Sequence, residues 1–253
     1  MKAARHCRLP IHPGSIRGIL FDKDGTLVDF QRTWAPATHA VLTHYADGDR
    51  NIFDQLAAVS GFFAADQRFL SNSPLIGGAA PDFGRLWAPI LGRVANSDFF
   101  AEIDQLYCVA CLKHLTPIGD VAAVLKVLSH RGYRLGIVTN DAEANAHAQI
   151  TRLGVGQIVE FIAGHDSGFG SKPAAGPVLA FASAIDVEVR EVAVVGDTAY
   201  DIAAAHAAGA TAIGVRTGPS PAELLTPDAD ALIDSIADLP AWLENQTLKK
   251  RPR

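Results

Sequence analysis

The chain of 253 residues is 49% hydrophobic and 19% charged, and its formal net charge is −5. This length can bury one large α/β core or two smaller ones. The negative balance argues against a nucleic-acid-binding protein, which needs a concentrated basic surface. No apolar run reaches the roughly 18 residues that a membrane-spanning helix requires. We therefore expect neither a nucleic acid nor a membrane as partner.

The two ends of the chain and the cysteines favour a cytoplasmic protein. Residues 1–15 are basic, but prolines interrupt them and no apolar segment follows, so we expect no secretory signal. We predict a loose arm there and a loose tail at 246–253. Cys7, Cys108 and Cys111 are too few for a disulfide framework. Cys108 and Cys111 share one helix face, and we interpret both as core residues.

The first predicted strand covers residues 16–21, and a helical region follows it. Residues 31–117 show helical periodicity and no convincing strand, and prolines such as Pro36 are expected to interrupt the helices. The helices predicted in this region cover residues 37–45, 52–69, 83–94 and 99–114. An insertion of this length can form a small domain of its own.

From residue 118 onward, strands and helices alternate. Helices are predicted at 118–131, 142–153, 178–185, 199–208 and 236–244, and strands at 133–138, 158–163, 192–195, 211–215 and 231–233. Alternation with short loops predicts right-handed crossovers and a parallel sheet covered on both faces. The expected fold is therefore a doubly wound, Rossmann-like α/β core formed by 16–30 and 118–245, with an inserted all-helical unit at 31–117.

Polar residues follow four of the predicted strands. In an open parallel sheet, ligands bind outside the carboxyl ends of the strands. The residues at those ends are, in chain order, Asp22, Asp24, Thr139, Asn140, Lys172, Asp197 and Asp201. Taken one at a time, most of them are equally well explained as helix caps or solvated loop residues.

Four carboxylates at one edge would repel one another unless a cation lies among them. Oxygen ligands of this kind suit Mg²⁺, which keeps waters and binds substrate phosphate. Lys172 and the backbone amides near Thr139 would then supply donors to an anionic phosphoryl group. The pattern thus indicates a magnesium site beside a phosphate site.

The segment DKDGTLVD at 22–29 resembles the DxDGT signature of haloacid dehalogenase superfamily phosphatases. Thr139-Asn140, Lys172-Pro173 and Gly196-Asp197-(x3)-Asp201 are similar to the second, third and fourth motifs of that family and occur in the same order. The helical insertion looks like the cap domain of phosphoglycolate phosphatase and β-phosphoglucomutase relatives. One departure is the sequence KPAAGP at 172–177, where the family often has KPxP.

The resemblance implies a Mg²⁺-dependent phosphatase that hydrolyses a small phosphorylated metabolite through an aspartyl-phosphate. Asp22 is then the nucleophile, and Asp24 the general acid and base. The metal would be held by Asp22, Asp24 (through its backbone carbonyl) and Asp197, with Asp201 outside its direct ligands. The phosphoryl oxygens would be held by Thr139, Asn140 and Lys172. The oligomeric state stays open.

Other functions share parts of this pattern. A haloacid dehalogenase would lack the second aspartate, and a phosphomutase or phosphotransferase would keep the whole set. A response-regulator receiver, a non-enzymatic phosphoacceptor, is about half this length and has no insertion. A non-catalytic binding protein would tolerate the loss of one motif, and none is lost here. Arg32, Trp34 and the loop 70–78 are candidate substrate contacts, although a solvated arginine, a packed tryptophan and a plain linker explain them equally well.

Overall fold

In the computed structural model, the described residues are 16–219, 221, 225 and 227–248. The predicted arm at 1–15, with Cys7, lies outside them, as do residues 249–253 of the predicted tail. Along the chain the elements are β1 (Gly18–Phe21), α1 (Phe30–Ala46), α2 (Arg50–Val59), β2 (Phe62–Phe63), β3 (Arg68–Phe69), α3 (Ala80–Ile90), α4 (Ser97–His114), α5 (Val121–His130), β4 (Arg134–Val138), α6 (Glu143–Arg152), β5 (Phe161–Ala163), α7 (Gly176–Ala184), β6 (Val192–Gly196), α8 (Ala199–Ala208), β7 (Thr211–Val215), β8 (Ala231–Ile233) and α9 (Leu239–Leu248). None of the described helices is both long and apolar enough to cross a bilayer.

Six of the strands form a parallel sheet in the order β5-β4-β1-β6-β7-β8. Apolar side chains of α5, α6 and α9 pack on one face, and those of α7 and α8 on the other. Gly136 of β4 allows a close approach, since a Cβ there would lie 2.6 Å from the Phe181 ring of α7. The predicted doubly wound α/β core is confirmed.

Two element bounds in the core differ from the prediction for local reasons. The helix predicted at 118–131 begins only at Val121, because the Asp120 side chain caps it by accepting a hydrogen bond from the Ala123 N–H at 2.9 Å. The strand predicted at 158–163 is reduced to Phe161–Ala163, the three residues that pair with β4.

The first helix of the insertion starts at Phe30, whereas we predicted it only from residue 37, after Pro36. Asp29 caps α1 by accepting from the Arg32 N–H at 2.9 Å, and Pro36 lies inside the helix. Proline removes one helical hydrogen bond. The carbonyl that loses its donor is that of Arg32, which is an exposed residue. Starting at Phe30 also buries Phe30 and Trp34, and that burial offsets the lost bond.

The helix predicted over 52–69 is wrong beyond Val59. Gly61 has a φ of +58°, which reverses the chain. The short antiparallel strands β2 and β3 then pair, with Phe62 opposite Phe69 and their ring centroids 5.1 Å apart. The insertion is therefore helical apart from one small hairpin.

The insertion has a hydrophobic cluster of its own, whose members all lie between Phe30 and Cys111. Cys111 is fully buried in it, as predicted, whereas Cys108 is only half-buried. The two connections to the sheet run side by side: the Asp29 N–H donates to the Thr116 carbonyl at 2.8 Å, and the Ile118 N–H to the Leu27 carbonyl at 2.9 Å. The chain thus leaves and re-enters the sheet at one narrow place.

Trp87 lies at the centre of this cluster with none of its surface exposed, and its indole N–H donates to the Ser60 hydroxyl at 2.9 Å. We expect Trp87→Ala to lower the free energy of unfolding by about 3–5 kcal/mol, because it leaves a large cavity. Leu86→Ala is the matched control, because Leu86 is next to Trp87 in sequence and is 43% exposed. We expect it to change the free energy of unfolding by no more than about 0.5 kcal/mol. Urea denaturation measures both, and equal losses would contradict the packing described here.

Candidate active site

Six of the seven predicted polar residues, all but Asp201, line one cavity at the carboxyl ends of the central strands. After β1 the chain builds β4 and β5 on one side and then β6, β7 and β8 on the other, so β1 marks the point where the sheet order reverses. Such a point is where open α/β sheets bind ligands. The motif residues that line the cavity are Asp22, Asp24, Thr139, Asn140, Lys172 and Asp197.

The turn after β1 leaves space for the carboxylate of Asp197. Gly25 has a φ of +91°, and a Cβ on it would lie 2.4 Å from that carboxylate. Gly218 closes the other side, where a Cβ would lie 1.8 Å away. The Thr26 hydroxyl donates to Asp197 Oδ1 at 3.2 Å. Glycine and threonine of the DGT segment thus seat an acid that lies far away in sequence.

Asp22, Asp197 and Asp201 form a buried cluster in which one oxygen of each lies within 4.8 Å of the others. Both oxygens of Asp201 are bonded, Oδ1 to the Lys172 ammonium at 2.6 Å and Oδ2 to the N–H and hydroxyl of Thr198. In contrast, Oδ2 of Asp22 and Oδ2 of Asp197 are buried and have no hydrogen-bond partner among the described residues. Two orphaned carboxylate oxygens side by side fit a cation.

The electrostatics of the cluster support the same fit. Burial raises the pKa of Asp22 to about 6, even though Lys172 acts to lower it. Burial and the neighbouring carboxylates of Asp22 and Asp201 raise the pKa of Asp197 well above its usual value. Both carboxyl groups therefore hold a proton more readily than an exposed acid does. A divalent cation beside their free oxygens would lower their pKa values again.

The side chain of Asp24 takes no part in this cluster. Its Oδ1 accepts a hydrogen bond from the Trp34 indole N–H at 2.7 Å, and its Oδ2 contacts the Lys23 ammonium at 2.5 Å. Lys23 is completely buried and also contacts Asp141 at 3.0 Å and Gln149 at 3.1 Å. Although burial alone acts to lower it, the carboxylates of Asp24 and Asp141 raise the pKa of Lys23.

Sequence reasoning missed Lys23 and Asp141 as parts of the site. The available signal was a lysine at the end of a wholly apolar strand, where an ammonium is tolerated only with partners. Its partner Asp141 directly follows the second motif. Lys23, held by Asp141, fixes the Asp24 carboxylate from the core. Trp34 holds the same carboxylate from the insertion.

Lys172 reaches the site in spite of the unusual KPAAGP loop. Its ammonium contacts Asp22 Oδ1 at 2.5 Å, and the carboxylates of Asp201 and Asp22 raise its pKa despite burial. The Asn140 side chain holds this loop, since it accepts from the Lys172 N–H at 2.9 Å and donates to the Lys172 carbonyl at 3.0 Å. The Thr139 hydroxyl accepts from the Asp141 N–H at 3.1 Å. The Asn140 side chain thus braces the loop, and the Asn140 backbone N–H has no partner among the described residues.

The insertion closes the cavity. Trp34 and residues 75–78 of the candidate loop line it, and the Gly77 carbonyl accepts a hydrogen bond from the Asn140 side chain at 2.8 Å. Arg32 does not face the site, because it lines a separate surface cavity. The cavity measures about 30 Å³, room for about two water molecules.

Comparisons with known proteins agree with this geometry. The sequence model of haloacid dehalogenase-like hydrolases matches residues 16–209. The chain is 31% identical to the plasmid phosphoglycolate phosphatase of Cupriavidus necator, over 89% of this chain and 92% of that protein. It is also 31% identical to the phosphoglycolate phosphatase of Chromobacterium violaceum, over 91% and 97% of the two chains.

A solved structure gives the same fold. A hydrolase of this family from Deinococcus radiodurans, crystallised with phosphate and sodium, superimposes with a TM-score of 0.62 at 24% identity, over 93% of this chain and 98% of that one. The sequence match over most of the chain, the shared fold and the four motifs at the strand ends lead to one conclusion. This chain belongs to the haloacid dehalogenase-like hydrolase family.

Proposed function

We propose that this protein is a Mg²⁺-dependent phosphatase that hydrolyses small phosphomonoesters, of the phosphoglycolate or sugar-phosphate kind, through an aspartyl-phosphate on Asp22. The observation that carries the proposal is the pair of unpartnered buried oxygens on Asp22 and Asp197, next to the buried ammonium of Lys172. Anionic and cationic groups are then both in place for a phosphoryl group. The relatives named phosphoglycolate phosphatase support the substrate class.

Asp22 and Asp197 would hold the cation, with the backbone carbonyl of Asp24 as a further ligand. When bound, the cation offsets the negative charge of the phosphoryl group and of the attacking carboxylate. Asp201 is already bonded through both oxygens to Lys172 and Thr198, so its role is to hold the lysine rather than the metal.

In the first step, a carboxylate oxygen of Asp22 attacks phosphorus and the bond to the leaving oxygen breaks. Lys172 stabilises the charge on the phosphoryl oxygens, together with backbone N–H groups. Those of Lys23, Asp24 and Asn140 have no hydrogen-bond partner among the described residues and are available for this purpose.

Asp24 handles the protons of both steps. It donates a proton to the leaving alkoxide, and later accepts one from the water that cleaves the aspartyl-phosphate. Burial raises the pKa of Asp24, which favours the protonated form, while Lys23 opposes this. Lys23 and Trp34 fix the orientation of the carboxyl group between the two steps.

Residues 31–117 act in this proposal as a cap that opens and closes. A space of about 30 Å³ is too small for a phosphomonoester, so the cap must move away from the strand ends for substrate to enter. Closure then excludes water from the first step. The small number of cysteines still leads us to propose a cytoplasmic location.

Metal dependence tests the proposal directly. We expect hydrolysis of p-nitrophenyl phosphate with Mg²⁺, complete loss after EDTA treatment, and recovery when Mg²⁺ is added back. Mg²⁺ should also raise the melting temperature, because it binds only the folded state. Asp197→Asn should abolish that rise, whereas Asp234→Asn, at a carboxylate that is 80% exposed, should keep it. Turnover that survives EDTA, or a melting temperature indifferent to Mg²⁺, would contradict the metal site.

Lys172→Ala should lower kcat/KM by about 100- to 1000-fold, the scale for deleting a donor to a developing anion. The matched control is Lys126→Ala, an exposed lysine on α5, with an expected change below about twofold. Circular dichroism must show that both variants are folded, since Lys172 also offsets buried carboxylates. A folded Lys172→Ala enzyme that loses less than about threefold would remove Lys172 from the phosphate site.

A further inference from the structure

The cavity has two chemically different sides. The core loops provide every charged group that lines it, and the insertion provides an apolar wall. The side chains of that wall are those of Trp34, Leu75 and Ile76, with Phe30, Tyr200 and Pro219 of the core at its margin. Phe30 and Trp34 stack with their ring centroids 5.9 Å apart. The phosphoryl group must lie on the charged side, so the wall faces the leaving group.

No cation of the insertion reaches this wall. All residues from 31 to 117 are described, and they include five arginines and one lysine. Arg50 pairs with Asp54, Arg68 with Asp66 and Arg93 with Glu102, Arg85 lies over the Phe100 ring, and Arg32 and Lys113 line a separate surface cavity. The Trp34 indole N–H is also engaged, because it donates to Asp24.

The charged side already carries an excess of acids. Five carboxylates, those of Asp22, Asp24, Asp141, Asp197 and Asp201, stand against the two ammonium groups of Lys23 and Lys172. A divalent cation reduces this excess and the phosphate group adds to it again. A second anion on the leaving group would therefore lie against apolar side chains with no cation of the insertion to pair with, and such burial is costly.

We propose that the apolar wall selects phosphomonoesters of uncharged alcohols and discriminates against esters that carry a carboxylate, phosphoglycolate among them. The carbon surface of the alcohol packs on Trp34, Leu75 and Ile76. This inference rests on the proposed phosphatase function and keeps only the sugar-phosphate half of its substrate class. It sets this chain apart from the relatives at 31% identity that are named for phosphoglycolate.

A pair of isosteric substrates isolates the charge. Phosphoglycolate and phosphoglycolamide differ by a carboxylate against a neutral carboxamide of nearly the same shape. We expect kcat/KM for the amide to exceed that for phosphoglycolate by at least about tenfold, measured as phosphate release with Mg²⁺. Equal rates, or faster release from phosphoglycolate, would overturn the inference while leaving the phosphatase function standing. Loss of release from both esters and from p-nitrophenyl phosphate would overturn the phosphatase function itself, and this inference with it.

A pair of variants places the effect at the wall. Ile76 is half-buried in the cavity, so a longer side chain can extend there towards solvent. Ile76→Arg should raise the ratio of kcat/KM for phosphoglycolate to that for the amide by about tenfold over Ile76→Gln, because the guanidinium supplies the missing cation. The ratio cancels any general loss of activity. The same ratio in both variants, while each still hydrolyses p-nitrophenyl phosphate, would show that Ile76 does not face the leaving group.

Discussion

Burial of several carboxylates at the end of one apolar strand is the constraint on which the rest of this structure depends. Each acid must find a cation or a donor, because an unpaired charge in that position would destabilise the fold. Lys172 serves Asp22 and Asp201, and Lys23 serves Asp24. The free oxygens of Asp22 and Asp197 are what remains, and they mark the place that we propose for the metal.

The same constraint explains the local sequence around the site. Gly25 and Gly218 leave the space that the Asp197 carboxylate occupies, and Asn140 braces the loop that brings Lys172 inward. The insertion adds the indole of Trp34 to the last open side of Asp24. In the proposed function, phosphate chemistry belongs to the core and the choice of leaving group to the insertion.

The core and the polar residues of the site were predictable because local sequence patterns indicate each of them. Continuous apolar runs gave the parallel strands, and the motifs at their ends gave the acids and Lys172. The pairing of Lys23 with Asp141 was not predictable, since it joins residues 118 positions apart through packing alone. The hairpin after Val59 was missed because its two strands have only two residues each, too short for any periodicity. Arg32 stayed open between a substrate contact and a solvated arginine, because one turn of helix decides which face it takes.

The central claim is that Asp22 carries the phosphoryl group and that Asp24 activates the water that removes it. Mass spectrometry after rapid acid quench, with p-nitrophenyl phosphate and Mg²⁺, tests both roles at once. The leaving p-nitrophenolate needs no proton, so Asp24→Asn should still form the aspartyl-phosphate but hydrolyse it slowly. The account predicts that phosphate accumulates on the peptide containing Asp22 in Asp24→Asn protein and is absent in Asp22→Asn protein. Phosphate on another residue, or turnover by the Asp22→Asn protein, would contradict it.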